Sequence, residues 1–334
     1  MRRFPLLLAA LLGLVLPVAC ATESAPAPPI ETPILDVELP EPWIDFPAAP
    51  GGTYAPGTPA RPGLWRAEGD RGSFFLFGSI HFGNEDLAFG PLVEEAYARS
   101  DEVVMEIDLS KVDPEQTLLL AEQYGTLEPP ATLESVLTPE TWALVEARFA
   151  EAGQPVEAVQ GMQPWWLGFA LVQGAYLSAG LIPEQGIDRQ IDDRARGGAG
   201  PDAASDPKPV IGLETLESQL QTLADLPIPV QDRLLRDALD PDPDRAADPA
   251  QLVRSWQSGD TDALTDLLDP QDPELATFYE HVIYKRNEQM ARRLEDLAQD
   301  GKLRFVVVGL LHLVGERGIP ALLSGRGYAV SRIE

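Results

Sequence analysis

The sequence predicts an α/β (α+β) fold in which two related strand–GxxH–helix–strand halves form a mixed sheet with a large helical insert. Three observations predict this fold. Apolar segments at 74–77 and 305–308 each run directly into a GxxH motif. Each motif is followed by a helical segment and then by a second strand-like segment. The residues between the halves, about 115–299, are mainly helical in pattern.

The first half begins with two strand-like segments at 64–67 and 74–77. The second segment is wholly apolar, so we expect a central strand there. The motif GSIH at 78–81 follows, and then come a helical segment at 91–98 and the strand segment 103–107.

The second half repeats this order near the C-terminus. The motif GLLH occupies 309–312, a helical segment follows at 319–323, and a strand segment follows at 328–330. Open α/β sheets build their binding crevices beyond the carboxyl ends of their strands. We therefore expect His81 and His312 to share one crevice.

The insert has recognisable helix starts and one buried polar position. On its last helix, Ile283, Asn287 and Met290 recur at three- and four-residue spacing, so Asn287 shares the apolar face and needs a partner. One helix is expected to begin at Thr138, with Pro139 in its first position, and another near Glu184. Further helices are expected at 165–179 and 275–298. The remaining expected elements are a loop at 197–209 and a short strand at 210–213 that leads into a helix from Leu216.

Residues 1–20 have the basic, apolar and small-residue layout of a secretory signal peptide. The apolar run covers about 15 residues, fewer than the roughly 20 that span a bilayer. Cys20 follows Leu-Pro-Val-Ala and resembles a lipoprotein lipobox, although Pro17 departs from the usual aliphatic residue; the alternative is ordinary cleavage after Ala21. Both possibilities predict an exported protein, either periplasmic or membrane-anchored through lipidated Cys20, or otherwise secreted.

Residues 21–62 are rich in Pro, Ala, Thr and Glu and have little apolar periodicity, which predicts a Pro-rich tether. Residues 63–334 are expected to form a single domain.

Composition excludes several classes of protein. Hydrophobic residues are 44% and charged residues 23% of the chain, which is typical of a globular protein. The formal net charge of -28 argues against a nucleic-acid partner, because it would repel a phosphate backbone. A single cysteine excludes an internal disulfide or a Cys-ligated zinc or iron–sulfur site.

Two of the three histidines occupy the same position of the repeated unit. The glycine three residues before each histidine allows a tight turn off the strand. The alternative is that each histidine makes only a structural hydrogen bond at the sheet edge; the duplication favours the functional interpretation.

Glu106 and Glu214 stand in or directly after apolar strand segments. A buried carboxylate has to be paired, metal-bound or protonated, whereas the alternative places each one at a water-exposed position. Two imidazoles with one or two carboxylates suit Zn, Mn or Co. A metal-bound water with its pKa lowered from about 16 to about 7 can attack an amide or ester carbonyl.

The sequence resembles the TraB/GumN family, which belongs with the Tiki-type metalloproteases in a wider hydrolase-like superfamily. The resemblance extends from about Gly63 to the C-terminus. It is carried by the segments 77–81, 104–108, 212–220, 286–290 and 308–312.

The resemblance implies a core of two α/β halves with the GxxH histidines and acidic residues in one cleft. It implies His81 and His312 as metal ligands, with Glu106 and Glu214 as a further ligand or general base. Arg286 and Asn287 are implied to orient or stabilise a reacting carbonyl; a salt bridge to a surface carboxylate is the alternative for Arg286.

Other candidate features have simpler interpretations. His281 lacks the motif and is expected to be exposed on the long helix. Trp165 and Trp166 either line a substrate groove or, as is commoner at a helix start, belong to the core.

The leading hypothesis is an extracytoplasmic metal-dependent hydrolase, a peptidase, with a divalent metal as cofactor and a peptide or small molecule as substrate. The alternative is a non-catalytic protein that binds a peptide or another ligand in the same cleft.

Overall fold

A mixed six-stranded sheet organises the part of the chain that the computed structural model describes, residues 63–333 without 86, 88, 199–206, 241–248, 260–264 and 266–272. The strands lie side by side in the order β4-β3-β5-β2-β1-β6. In chain order they are β1 Leu64–Gly69, β2 Gly72–Ser79, β3 Glu102–Ile107, β4 Val210–Glu214, β5 Leu303–Gly309 and β6 Ala329–Arg332. Neighbouring strands from β4 to β2 are parallel, whereas β1 is antiparallel to both β2 and β6. The predicted α/β class with a mixed sheet is confirmed.

The two GxxH halves are also confirmed. In the first half, β2 is followed by helix α1, Pro91–Arg99, and then by β3. In the second half, β5 is followed by a helix, Ile319–Gly325, and then by β6. Strands β2 and β5 are hydrogen-bonded neighbours, with Gly78 opposite Val308 and Ser79 opposite Gly309. Both motifs therefore leave the sheet side by side at the same edge.

The helical insert contains β4 and the remaining helices of the described residues. In chain order these helices are α2 Pro114–Gly125, α3 Leu133–Val136, α4 Pro139–Glu151, α5 Pro164–Ser178, α6 Ile187–Ala195, α7 Leu216–Ala224, α8 Ile228–Leu239, α9 Pro249–Ser258 and α10, which consists of Ala276–Phe278, the π-helical turns Tyr279–Tyr284 and Lys285–Leu297. The helix Ile319–Gly325 is α11. None of the helices in the described part of the chain is long and apolar enough to cross a membrane.

Local sequence explains most helix boundaries. Thr138 caps α4 by accepting the Thr141 N–H, and Pro139 occupies its first turn, as predicted. The helix expected near Glu184 begins later: a 3-10 turn covers Pro183–Gln185 and α6 starts at Ile187. The predicted loop at 197–209 lies largely outside the described residues, as do the predicted signal peptide and tether.

Apolar side chains cover both faces of the sheet. Because strand residues alternate between faces, Phe75 and Phe77 pack towards one core and Phe74 and Leu76 towards the other. The insert helix α5 packs on the first face, with Trp165 fully buried in that core, whereas α10 and α11 cover the second. Trp165 is therefore a core residue.

Candidate functional site

Four neighbouring parallel strands deliver the candidate side chains to one edge of the sheet. Glu106 lies near the end of β3 and Glu214 ends β4. His81 follows β2, and His312 ends the 3-10 turn Leu310–His312 directly after β5. The predicted crevice at the carboxyl ends of the strands is therefore where these residues lie.

Glu106 is buried between the neighbouring strands and holds the centre of the cluster. Its Oε1 accepts the Gly309 N–H at 2.7 Å, and its Oε2 accepts from Arg286 Nη2 at 2.7 Å and from Gln219 Nε2 at 3.0 Å. Burial raises the pKa of Glu106, but Arg286, the two imidazoles and the Gly309 N–H together lower it to about 2. Glu106 is therefore ionised at neutral pH.

Arg286, on α10, joins the two candidate carboxylates. Its Nη2 donates to Glu106 and to Glu214 Oε2 at 2.7 Å, its Nε donates to Glu214 Oε1 at 3.0 Å, and its Nη1 donates to the Val282 carbonyl at 3.2 Å. Burial lowers the pKa of Arg286, and the carboxylates more than reverse that effect and raise it. Every nitrogen of this guanidinium is thus engaged inside the protein.

His312 is fully buried and held by Asn287. The Asn287 Nδ2 donates to the Arg317 carbonyl at 2.8 Å, which turns Asn287 Oδ1 towards His312 Nδ1 at 2.6 Å. The His312 Nε2 is buried, has no hydrogen-bond partner among the described residues and lies 3.7 Å from Glu106 Oε1. Burial, reinforced by the charge of Arg286, lowers the pKa of His312 to about 4 despite the nearby carboxylates.

His81 is also buried, but its partner is a carboxylate. Asp188 Oδ2, in the first turn of α6, lies 3.1 Å from His81 Nδ1. Burial lowers the pKa of His81, and the negative charges of Asp188 and Glu106 outweigh that effect and raise it. As in His312, the Nε2 atom is buried without a hydrogen-bond partner in the described part of the chain.

A small pocket, partly open to solvent, lies against this cluster. Its wall consists of Ser79, His81, Met105, Glu106, Ile107, Leu109, Asp188, Gln219 and Val307. The cluster beside it contains three carboxylates and one guanidinium, so it carries a net charge of about -2 when both imidazoles are neutral. Such a buried negative charge is costly unless a cation compensates it.

The donor chemistry of the site fits a divalent metal. Each histidine presents Nε2 while its Nδ1 faces an orienting side chain, which is the usual arrangement of a metal-ligating imidazole. Two ligands of a tetrahedral zinc are about 3.4 Å apart, close to the 3.7 Å between His312 Nε2 and Glu106 Oε1. As the side chains stand, however, no three His, Cys, Asp or Glu residues within the described ranges form a ready ligand group.

The structure adds residues that the sequence analysis did not select. No sequence pattern marks Asp188. Ser79 lies inside the GSIH motif, but at a position that the GxxH pattern leaves open. Gln219 lies inside the segment 212–220, so the resemblance contained a signal for it. The third histidine, His281, is half-buried on the π-helical turns, where its Nδ1 lies 2.8 Å from the Thr277 carbonyl.

The fold and the site define an α/β protein that gathers two histidines and two glutamates beyond the carboxyl ends of parallel strands. The chain belongs to the TraB/PrgY/gumN family, whose model matches residues 63–332. No curated protein and no solved structure matches the chain.

Proposed function

We propose that the chain is an extracytoplasmic metal-dependent hydrolase that cleaves peptides. One observation carries this proposal: two buried imidazoles from equivalent motifs each present an Nε2 that has no hydrogen-bond partner among the described residues, and both imidazoles lie near the ionised Glu106. The net negative charge of the cluster supports the same conclusion, because a divalent cation would compensate it.

Each side chain has a defined part in this proposal. His81 and His312 bind the metal through Nε2, while Asp188 and Asn287 orient their rings. The low pKa of Glu106 makes it a weak base, so it acts as the third ligand. When bound, the metal supplies a water of lowered pKa and a positive charge for the carbonyl oxygen.

Arg286 holds the site together rather than contacting the reacting carbonyl. Its nitrogens already donate to Glu106, Glu214 and a backbone carbonyl. Gln219 supports the same two carboxylates with its Nε2. Glu214 is thereby fixed as the counterion of Arg286.

Metal analysis of purified variants tests the proposal. We expect His81→Ala and His312→Ala to lose the metal, and His281→Ala, which changes the histidine outside the cluster, to keep it. Full metal occupancy in either site variant would overturn the ligand assignment. An unbiased peptide library then reports whether the metal-loaded protein cleaves peptides and whether both site variants do not.

Non-catalytic ligand binding in the same pocket is the second candidate function. The engagement of both glutamates and Arg286 with one another favours it, because none of the three is left as a free acid or base. A protein that holds metal and retains peptides without cleaving them would support this candidate.

Export of the protein is part of the proposal and rests on residues 1–20 alone. The basic start, the apolar run and Cys20 support a lipoprotein signal. We expect the protein to fractionate with membranes and the Cys20→Ser variant to become soluble in the periplasm. Cytoplasmic retention of the full chain would contradict export.

A further inference from the structure

The wall of the pocket has an excess of hydrogen-bond acceptors. Gln219 Nε2 donates to Glu106 and to Glu214, which fixes the orientation of the amide and leaves Oε1 as an acceptor. Gln219 is 3% exposed, and its Oε1 is buried with no hydrogen-bond partner among the described residues. The atom is therefore shielded from bulk solvent and has no protein donor among the described residues.

Asp188 and Ser79 add two acceptors to the same wall. Asp188 turns Oδ2 to His81, while its buried Oδ1 has no hydrogen-bond partner in the described part of the chain. The Ser79 hydroxyl is likewise unpartnered there, and the residue is 1% exposed. All three side chains line the pocket.

The nearby nitrogen donors are already engaged. The Gly309 N–H donates to Glu106, and every nitrogen of Arg286 donates within the protein. Apart from the Ser79 hydroxyl and the His81 Nε2, which donates only when the imidazole is protonated, an anionic ligand would find no free donor among these residues. An ammonium group has three N–H donors and no acceptor, and a carboxylate oxygen binds a charged donor more strongly than a neutral one.

We propose that the pocket binds the protonated amino group of its substrate, and that Ser79, Asp188 and Gln219 accept its three N–H groups. This inference rests on the proposed function and gives it a substrate class: peptides with a free amino terminus. Apart from His81 and Glu106, the rest of the wall is apolar and suits the adjacent side chain. Its residues are Met105, Ile107, Leu109 and Val307.

Calorimetry with small amides tests the inference without any cleavage. Leucinamide and 4-methylpentanamide differ only in the amino group, and N-acetyl-leucinamide has that group blocked. We expect the wild-type protein to bind leucinamide at least about tenfold more tightly than either analogue, because a charge-assisted hydrogen bond contributes a difference in binding free energy of this size. The preference should persist after metal is removed by chelation. Its persistence would show that the pocket residues, and not direct coordination of the amine to a metal, provide it.

Two variants and a matched control assign the preference to the pocket. Asp188→Asn can keep a carbonyl oxygen towards His81 but replaces the free oxygen with an N–H donor, so the preference for leucinamide should disappear. Ser79→Ala removes an acceptor without breaking a described hydrogen bond and should weaken the preference about fivefold. Asp193→Asn removes the same charge from an exposed position of α6 and should leave the preference unchanged.

The outcomes separate this inference from the proposed hydrolase. Equal binding of the three amides, or no binding of any, overturns the inference even if peptides are cleaved. A preference that survives in Asp188→Asn also overturns it. Selective binding of leucinamide without cleavage of any peptide supports the inference and contradicts the hydrolase.

Discussion

The two motif histidines have different partners although they occupy equivalent positions. His81 faces the carboxylate of Asp188, whereas His312 faces the amide of Asn287. Asp188 helps to raise the pKa of His81, whereas burial outweighs the nearby carboxylates at His312 and lowers its pKa to about 4. The duplicated motif therefore contains two electrostatically distinct imidazoles.

The pKa of His312 predicts how stability depends on pH in the metal-free protein. Below about pH 6.5 the unfolded chain binds a proton on this ring, whereas the folded protein does not until about pH 4. The free energy of unfolding should therefore decrease as the pH falls through this window. His81, whose pKa is raised in the folded protein, contributes in the opposite direction and makes this decrease smaller. Urea denaturation at pH 7 and pH 4.5 should show a smaller loss for His312→Gln than for the wild type. Equal losses would contradict this account.

Removing the Asn287 side chain should destabilise the fold. Asn287→Ala leaves the buried His312 Nδ1 without its partner, and a buried unsatisfied group costs about 1–3 kcal/mol. Urea denaturation measures the change in the free energy of unfolding. Gln289→Ala, on the exposed side of the same helix, is the matched control and should cost less than about 0.5 kcal/mol.

Sequence reasoning found the residues that lie on strands or motifs and missed those that reach the site from elsewhere. His81, Glu106 and His312 could be placed because strand ends are readable from apolar runs. Asp188 sits on a helix whose docking against the first motif depends on tertiary packing, so no local pattern marks it.

At the scale of elements, α6 is positioned by close backbone packing at its start. A Cβ on Gly186 would lie 2.3 Å from the His81 carbonyl oxygen. The Ile187 N–H donates to the Ile80 carbonyl at 2.9 Å, so the helix start is joined to the first GxxH motif. This contact brings Asp188 to His81.

Gly186→Ala should therefore both destabilise the protein and displace α6 from the motif. We expect a cost of about 1–3 kcal/mol, because a backbone atom cannot move aside as a side chain can. Thermal unfolding followed by circular dichroism measures the loss. The control is Gly161→Ala, where a Cβ meets nothing within 4 Å. Equal unfolding temperatures for the two variants would contradict the packing argument.

The long helix shows what periodicity can and cannot predict. Periodicity predicts a helix at 275–298, and α10 covers Ala276 to Leu297. The π-helical turns Tyr279–Tyr284 were not predicted, because a local change in the residues per turn leaves no mark on a short apolar pattern. These turns immediately precede Arg286 and so set the face on which the guanidinium emerges.

At the scale of the molecule, the sheet and the family match begin together at residues 63 and 64. β1 pairs with both β2 and β6, so the first described strand is already an interior strand of the sheet. The fold class was predictable because both halves carry the same strand, motif and helix order. The strand order was not, since pairing between distant segments leaves no local signal.

A chain that starts at Gly63 should fold with the stability of the full protein. The described sheet and its cores are built from residues after this point. Thermal unfolding of the two chains at the same pH should give melting temperatures within about 2 °C, equivalent to roughly 1 kcal/mol. A loss of cooperative unfolding in the shorter chain would contradict the predicted domain boundary.

Because β2 and β5 are adjacent, the separation of the two GxxH motifs is set by the interstrand distance of about 4.8 Å. It does not depend on how much chain connects them. The helical insert between the motifs can therefore change in length without moving the motifs apart. The arrangement of side chains at the strand ends is kept as long as α6, which carries Asp188, and α10, which carries Arg286 and Asn287, stay in place.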